Sequence, residues 1–280
     1  MRFTKMHGAG NDFIILNNMD GAIAEENYSG LAAALCRRRL SIGADGLMIV
    51  VPAKEDGDYR MVFYNADGSL GEMCGNGARC IARYGYENKL SGEVQKIETT
   101  AGLVTGRRMS ERLYRVRLND PTTLDLQRRV TIDGETFVCG YVELGNPGLP
   151  HAVVLMDDFD SRDENELREL GRKLRYAKEF PKGANVTFCR VTGENRVLAR
   201  TFERGVEDFT LACGTGCGAT AAVLTLLHFV GGIKTSITMP GGELFVTLET
   251  GCENTVRNIF LTGPTNIVAV GEITDEDVKF

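Results

Sequence analysis

Nowhere in this 280-residue sequence does an apolar run become long enough to cross a bilayer. The longest, 219–230, is broken by Thr220, Thr225 and His228 and reads as a buried central helix. A Lys/Arg-rich stripe with interleaved aromatics is missing too; Arg37-Arg38-Arg39 is short and reads as the polar end of a helix. With a formal net charge of −6, the chain is expected to bind neither nucleic acid nor an anionic membrane. The opening MRFTKMHGAGNDF mixes charge with glycine, unlike a secretory signal, so the cytoplasm is the expected compartment. There, eight cysteines in so long a chain do not make a disulfide framework. Cys36, Cys139, Cys189 and Cys252 sit among apolar or small neighbours and read as small core residues.

The composition, 43% hydrophobic with 33 glycines, is that of a turn-rich globular protein, long enough for one large or two ordinary domains. Strand-like and helix-like segments alternate throughout. FIIL, LMIVVP and YRMVFYN read as strands, 23–39 as a helix ending in basic residues, and Asn65-Ala66-Asp67-Gly68 as a turn. A helix is expected from Gly75, then three short strands. In the second half come a hairpin turning at Asp133-Gly134, a buried strand HAVVLM and an amphipathic helix DENELRELGRKLRYA with acidic start and basic end. The strands ANVTFCRV and RVLARTFERG follow, then a small-residue helix over 215–229 and the strands SITMP, LFVTLET and IFLTGP.

Two stretches half the chain apart share a pattern. MCGNGARC (73–80) and ACGTGCGA (212–219) each set a cysteine before Gly-x-Gly and run into a helix. This repetition suggests a duplicated α+β domain whose halves face each other across a cleft, divided near Asp120-Pro121. A cysteine at such a turn stands where unpaired backbone N–H groups point outward, and the helix end is expected to lower its thiol pKa. The same donors can hold a carboxylate or a developing oxyanion. Two such thiols could reach opposite faces of one small molecule, one taking a proton and the other giving one back, as inversion of a carbon acid requires.

Other readings remain open at this level. Cys74, Cys80, Cys213 and Cys217 could bind zinc, although their C-x5-C and C-x3-C spacings are not those of a zinc knuckle. A single nucleophilic cysteine could work with His151 as base, but the second motif is then unexplained. The glycine turns could hold phosphate, though neither carries the Lys-Ser/Thr ending of a P-loop. Glu203 and Arg204 would suit an ammonium and a carboxylate, or form a solvated surface pair. Asn11, Asn65, Asn76 and Asn185 lie near turns, where Asn is common for backbone reasons alone.

The segments GAGNDFI (8–14), SIGADGL (41–47), FYNADGSLGEMCGNGARC (63–80), GANVTF (183–188) and FERGVEDFTLACGTG (202–216) resemble diaminopimelate epimerase. The resemblance implies an α+β fold of two pseudo-symmetric α/β domains, each a mixed sheet wrapped around a central helix, with the active site in the cleft between them. It implies residues 1–119 with 265–280 for one half and 120–264 for the other. No cofactor, PLP or metal, is implied; the partner is a small amino-acid substrate, and a homodimer is left open because dimers are common in the family. Carried over by motif, Cys74 and Cys213 are the acid/base pair. Gly75, Asn76, Gly214 and Thr215 hold the reacting carboxylate, and Asn11, Asn65, Asn185, Glu203 and Arg204 line the pocket, Glu203 also supporting catalysis.

One stretch departs from the pattern: the family's Gly-Asn-Pro-His is here GNPGLPH (145–151). Matched from the left, Asn146 fills the Asn position and the His is displaced. Matched from the right, Leu149 replaces the Asn and His151 keeps its place as a supporting catalytic residue. The right-hand match is preferred because HAVVLM then follows without a gap. The leading substrate expectation is LL- and meso-diaminopimelate; histidine or lanthionine in a related racemase is the alternative, and a zinc or redox thiol protein a remote one.

Overall fold

The computed structural model describes residues 1–71, 74–252, 255–274 and 276–278. Glu72 and Met73, within the first motif, lie outside the described residues, as do Asp275, Lys279 and Phe280 of the expected C-terminal return. The chain divides into two compact units, Met1–Val116 with Gly263–Phe280, and Arg117–Thr262.

The first unit opens with a hairpin, β1 (Arg2–Gly8) and β2 (Asn11–Asn17). Its two turn residues, Ala9 and Gly10, both have positive φ (54° and 87°), the geometry that matches the twist of a tight hairpin. Helix α1 (Tyr28–Leu35) leads to β3 (Gly46–Val51), parallel to β2, and β4 (Tyr59–Asn65) returns antiparallel. Helix α2 (Gly75–Glu87) crosses to β5 (Val94–Thr99), parallel to β4, and β6 (Gly102–Arg108) and β7 (Leu113–Arg117) complete the meander.

The unbroken apolar runs of β2 and β3 follow from burial on both faces. Phe13, Ile15, Met48 and Val50 point into a core shared with Cys80, Ile81 and Ala82 of α2. Their neighbours Ile14, Leu16, Leu47 and Ile49 point the other way, onto Leu31, Ala32 and Leu35 of α1.

The second unit starts with a long hairpin, β8 (Pro121–Ile132) and β9 (Glu135–Leu144), turning at Asp133-Gly134 as the sequence signals. After β10 (Leu149–Leu155), α3 (Glu164–Arg175) crosses to the parallel β11 (Asn185–Gly193). Strand β12 (Arg196–Glu203) returns, and the two-residue β13 (Asp208–Phe209) adds to its end. Helix α4 (Gly214–Leu226) crosses to β14 (Thr235–Met239), parallel to β12, before β15 (Gly242–Thr250) and β16 (Val256–Pro264). The last strand, β17 (Asn266–Glu272), pairs antiparallel with β1.

The two units therefore repeat one plan. From β17 to β7 through β1–β6, neighbouring strands pair antiparallel, antiparallel, parallel, antiparallel, parallel, antiparallel, antiparallel. From β8 through β12 and β14 to β16, the succession is the same. In each, the second parallel crossover is the helix that follows Cys-Gly-x-Gly, and it is buried along nearly its whole length. Strand β17 occupies in the first unit the place of β8 in the second.

Two expectations need correction. The helix expected over 23–39 is formed only at Tyr28–Leu35, after a single turn at Glu25–Asn27. The chain leaves the helix at Cys36, Arg39 takes φ 70°, and Gly43 N–H returns to Leu35 O at 2.9 Å, so the three arginines lie in a turn. Cys252 is exposed, because it sits in the connection between β15 and β16 rather than in a core. Among the described residues no helix is long and apolar enough to cross a membrane.

Candidate active site

In the first unit the hairpin turn at Ala9-Gly10 delivers Asn11 to the start of β2. The Asn11 amide donates to Asp45 Oδ2 at 2.6 Å, and its carbonyl oxygen accepts from Cys74 Sγ at 3.3 Å. Cys74 caps α2 with extended backbone (φ −108°, ψ 120°). Ala78 N–H makes the first intrahelical bond, to Cys74 O at 2.8 Å, so the N–H groups of Gly75, Asn76 and Gly77 have no acceptor within the helix. Asn76 is buried, and its side-chain oxygen accepts from Arg79 Nη2 at 2.9 Å while Arg79 Nη1 reaches Gly75 O at 3.3 Å. The motif turn is thus tied down from beneath by a fully buried guanidinium.

A support for Asn11 escapes sequence reading. Arg38 Nη2 bridges Asp12 Oδ1 (2.6 Å) and Asp45 Oδ1 (2.8 Å), and Lys5 lies 3.1 Å from Asp12. Burial alone would raise the Asp12 pKa, but hydrogen bonds to Arg38 and Lys5 hold it below the usual carboxylate range. The only signal in the sequence is that both aspartates fall inside matched motifs. Asn65, at the end of β4, is exposed and donates to Ser69 Oγ at 3.0 Å, closing the turn after the strand.

In the second unit Cys213 caps α4 in the same backbone conformation (φ −112°, ψ 107°). Its Sγ accepts from Gly216 N–H at 3.3 Å and lies 3.6 Å from Thr215 Oγ1. Gly214 and Thr215 supply the first two N–H groups of the helix, and Cys217 N–H makes the first intrahelical bond, to Cys213 O at 2.9 Å. The expected lowering of the thiol pKa is reversed here. Burial, joined by the nearby Glu203 charge, raises Cys213 well above the ordinary thiol value, and the bonds to Thr215 and Gly216 only partly offset it. Cys213 is therefore held as the neutral thiol. Glu203 at the end of β12 accepts from Thr210 Oγ1 at 2.6 Å.

Asn185, His151 and Arg204 form a second cluster. His151 and Asn185 are register partners in the parallel pair β10–β11. Asn185 is buried, and its side chain accepts from Arg204 N–H at 2.8 Å. His151 is fully buried, and neither ring nitrogen has a hydrogen-bond partner among the described residues. Burial, reinforced by the Arg204 charge, pushes its pKa down to about 3, so its imidazole is neutral at pH 7. The departure GNPGLPH is absorbed locally: Gly145–Gly148 make a turn with Asn146 exposed, and half-buried Leu149 opens β10.

Burial governs the other thiols as well. Burial pushes Cys36, Cys80, Cys139 and Cys189 up to about 12. Cys217 donates to Met239 Sδ at 3.3 Å. Among the described residues no three His, Cys, Asp or Glu side chains are grouped to hold a metal ion.

The family model for diaminopimelate epimerase matches residues 3–116 and 144–268. The chain is 37% identical to diaminopimelate epimerase of Caldanaerobacter subterraneus subsp. tengcongensis (98% of this chain, 99% of the relative). It is 35% identical to that of Archaeoglobus fulgidus (99% and 98%) and 33% to that of Aquifex aeolicus (the whole of both). In fold it is similar to a hydroxyproline epimerase from Agrobacterium vitis (TM-score 0.71, 16% identity, 99% of this chain and 93% of that one). It is equally similar to a PhzF-family phenazine biosynthesis protein of Bacillus anthracis (TM-score 0.71, 14% identity, 98% and 99%). With a family model spanning most of its length and relatives above 30% identity along all of it, this chain belongs to the diaminopimelate epimerase family.

Proposed function

We propose that this chain interconverts LL- and meso-diaminopimelate in the cytoplasm, by proton transfer between Cys74 and Cys213 across a cleft between its two halves. One cysteine, as thiolate, takes the proton from the substrate α-carbon. The electron pair passes into the α-carboxylate, and the other thiol returns a proton to the opposite face, so no proton or electron is gained overall. The two thiols supply both base and acid, and the scheme calls for neither PLP nor a metal.

The observation that carries the reading is the placement of Cys74 and Cys213 as N-caps of the corresponding crossover helices of a repeated fold. Each brings a helix N-terminus, where donors and dipole stabilise charge developing on a carboxylate. Arg204 is the group suited to the far amino-acid end of the substrate, with Asn185 serving it by holding Arg204; Asn11 lines the pocket beside the Cys74 thiol. Lanthionine or histidine becomes the substrate if Leu149 has respecified the pocket.

The test is deuterium uptake in D2O, followed by mass spectrometry, with LL-diaminopimelate, lanthionine and L-histidine offered separately. Label is expected in diaminopimelate, lost by at least about a hundredfold in Cys74→Ala and Cys213→Ala and kept in Cys36→Ala. Normal inversion by either of the first two variants would refute the two-thiol scheme. Label only in another amino acid would refute the substrate.

A further inference from the structure

Arg204 is gripped by one short segment, residues 180–185. Its backbone N–H donates to Asn185 Oδ1 at 2.8 Å, and its guanidinium Nη1 donates to Lys182 O at 3.1 Å. That segment is itself pinned to β9 at two points. The Phe180 ring stacks on Tyr141 with centroids 5.3 Å apart and planes within 10°. Lys182 Nζ reaches Glu143 Oε2 at 2.7 Å, and the other Glu143 oxygen accepts from the Tyr141 hydroxyl at 2.7 Å. Glu143 is only 8% exposed, so the ion pair is shielded on its carboxylate side while the Lys182 side chain stays largely open to solvent. The turn that departs from the family pattern leans on the same carboxylate: a Cβ at Gly148 would fall 2.4 Å from Glu143 Oε2.

We infer that Glu143 is a positioning residue for substrate binding: through Lys182 it fixes the segment that sets where the Arg204 guanidinium stands. The Gly145–Gly148 turn shares in this, because Gly148 leaves the room in which Glu143 meets Lys182. The strut has no part in the proton transfer. Losing it should weaken the grip on the substrate's far carboxylate and leave the chemical step alone. The inference rests on Arg204 being the carboxylate-binding group of the proposed function.

Two measurements on the full-length protein test it, with Lys182→Met, Glu143→Gln and Lys182→Arg as variants. In the first, epimerisation kinetics with LL-diaminopimelate, the Met and Gln variants should raise KM about five- to twentyfold with kcat within about twofold. Lys182→Arg, which keeps the ion pair, should stay near wild type. In the second, phenylglyoxal modification of Arg204 is followed by peptide mass spectrometry, a readout that needs no substrate. Its rate should change several-fold in the Met and Gln variants and not in Lys182→Arg. Lys182 is largely exposed, so its variants keep the test alive if Glu143→Gln does not fold. An unchanged modification rate overturns the strut whatever the substrate proves to be. A loss of kcat at constant KM, or an unchanged KM, overturns its role in binding. A wild-type chain inert toward diaminopimelate refutes the functional reading instead, and the modification rates then decide the strut alone.

Discussion

At the scale of single residues, burial outweighs the local chemistry that a motif advertises. The cap of α4 gives Cys213 a backbone donor and a hydroxyl, both of which favour thiolate, yet its enclosed position keeps it a thiol. His151 obeys the same rule in the opposite direction. An unfolded histidine titrates near 6.5, whereas burial holds this one neutral down to about pH 3. Between those values the unfolded chain binds one proton more than the folded chain, so stability rises with pH across the window and is lost as pH falls through it. Between pH 7 and pH 5 the wild type should lose about 1–2 kcal/mol more than His151→Leu, read from urea midpoints at the two pH values. Equal losses would show that the imidazole is protonated in the folded state.

At the scale of elements, what a segment's own residues determine was readable, and what partners determine was not. Helix α3 declares itself through an apolar stripe, acidic first turn and basic last turn, and Asp163 caps it by accepting from Asn165 and Glu166 N–H. The starts of α2 and α4 were fixed by Cys-Gly-x-Gly. By contrast β8, rich in charged and half-exposed residues, carries no clean alternation and takes its extended form from pairing with β9. Helix α1 is shorter than its pattern: it stops at Leu35, and Arg38 beyond it meets Asp12 and Asp45, a contact invisible in the local sequence. The cysteine pair and Arg204 were likewise legible as motif residues, whereas the ion pairs of Lys5, Arg38, Glu143 and Lys182 were not, since each joins separate segments of the chain. Close approach of elements makes its own demand. At Gly140 of β9 a Cβ would lie 2.5 Å from a methyl of Val223 on α4, a stiff β-branched side chain in a filled core. Gly140→Ala should cost about 1–3 kcal/mol in urea unfolding, and a cost near zero would mean that α4 can shift, carrying the Cys213 turn with it.

At the scale of the molecule, the repeated succession of pairings gives each unit one buried crossover helix that begins at a cysteine, and this repeat could be anticipated from two eight-residue stretches. The closing strand could not be anticipated from pattern alone, because its central residues are exposed and its place depends on β1. Strand β17 covers β1, and Ile273 and Val278 beyond it join the core beneath α1. A chain ending at Pro264 should therefore lose stability in the first unit while the second keeps its own. Urea unfolding should separate into an early and a late step, and one unchanged cooperative transition would contradict this. The arrangement also inverts the usual order of completion during synthesis, in which N-terminal domains finish first. Residues of the first unit leave the ribosome earliest, yet that unit cannot close its sheet until residue 272 has cleared the exit tunnel. By then every residue of the second unit is already outside.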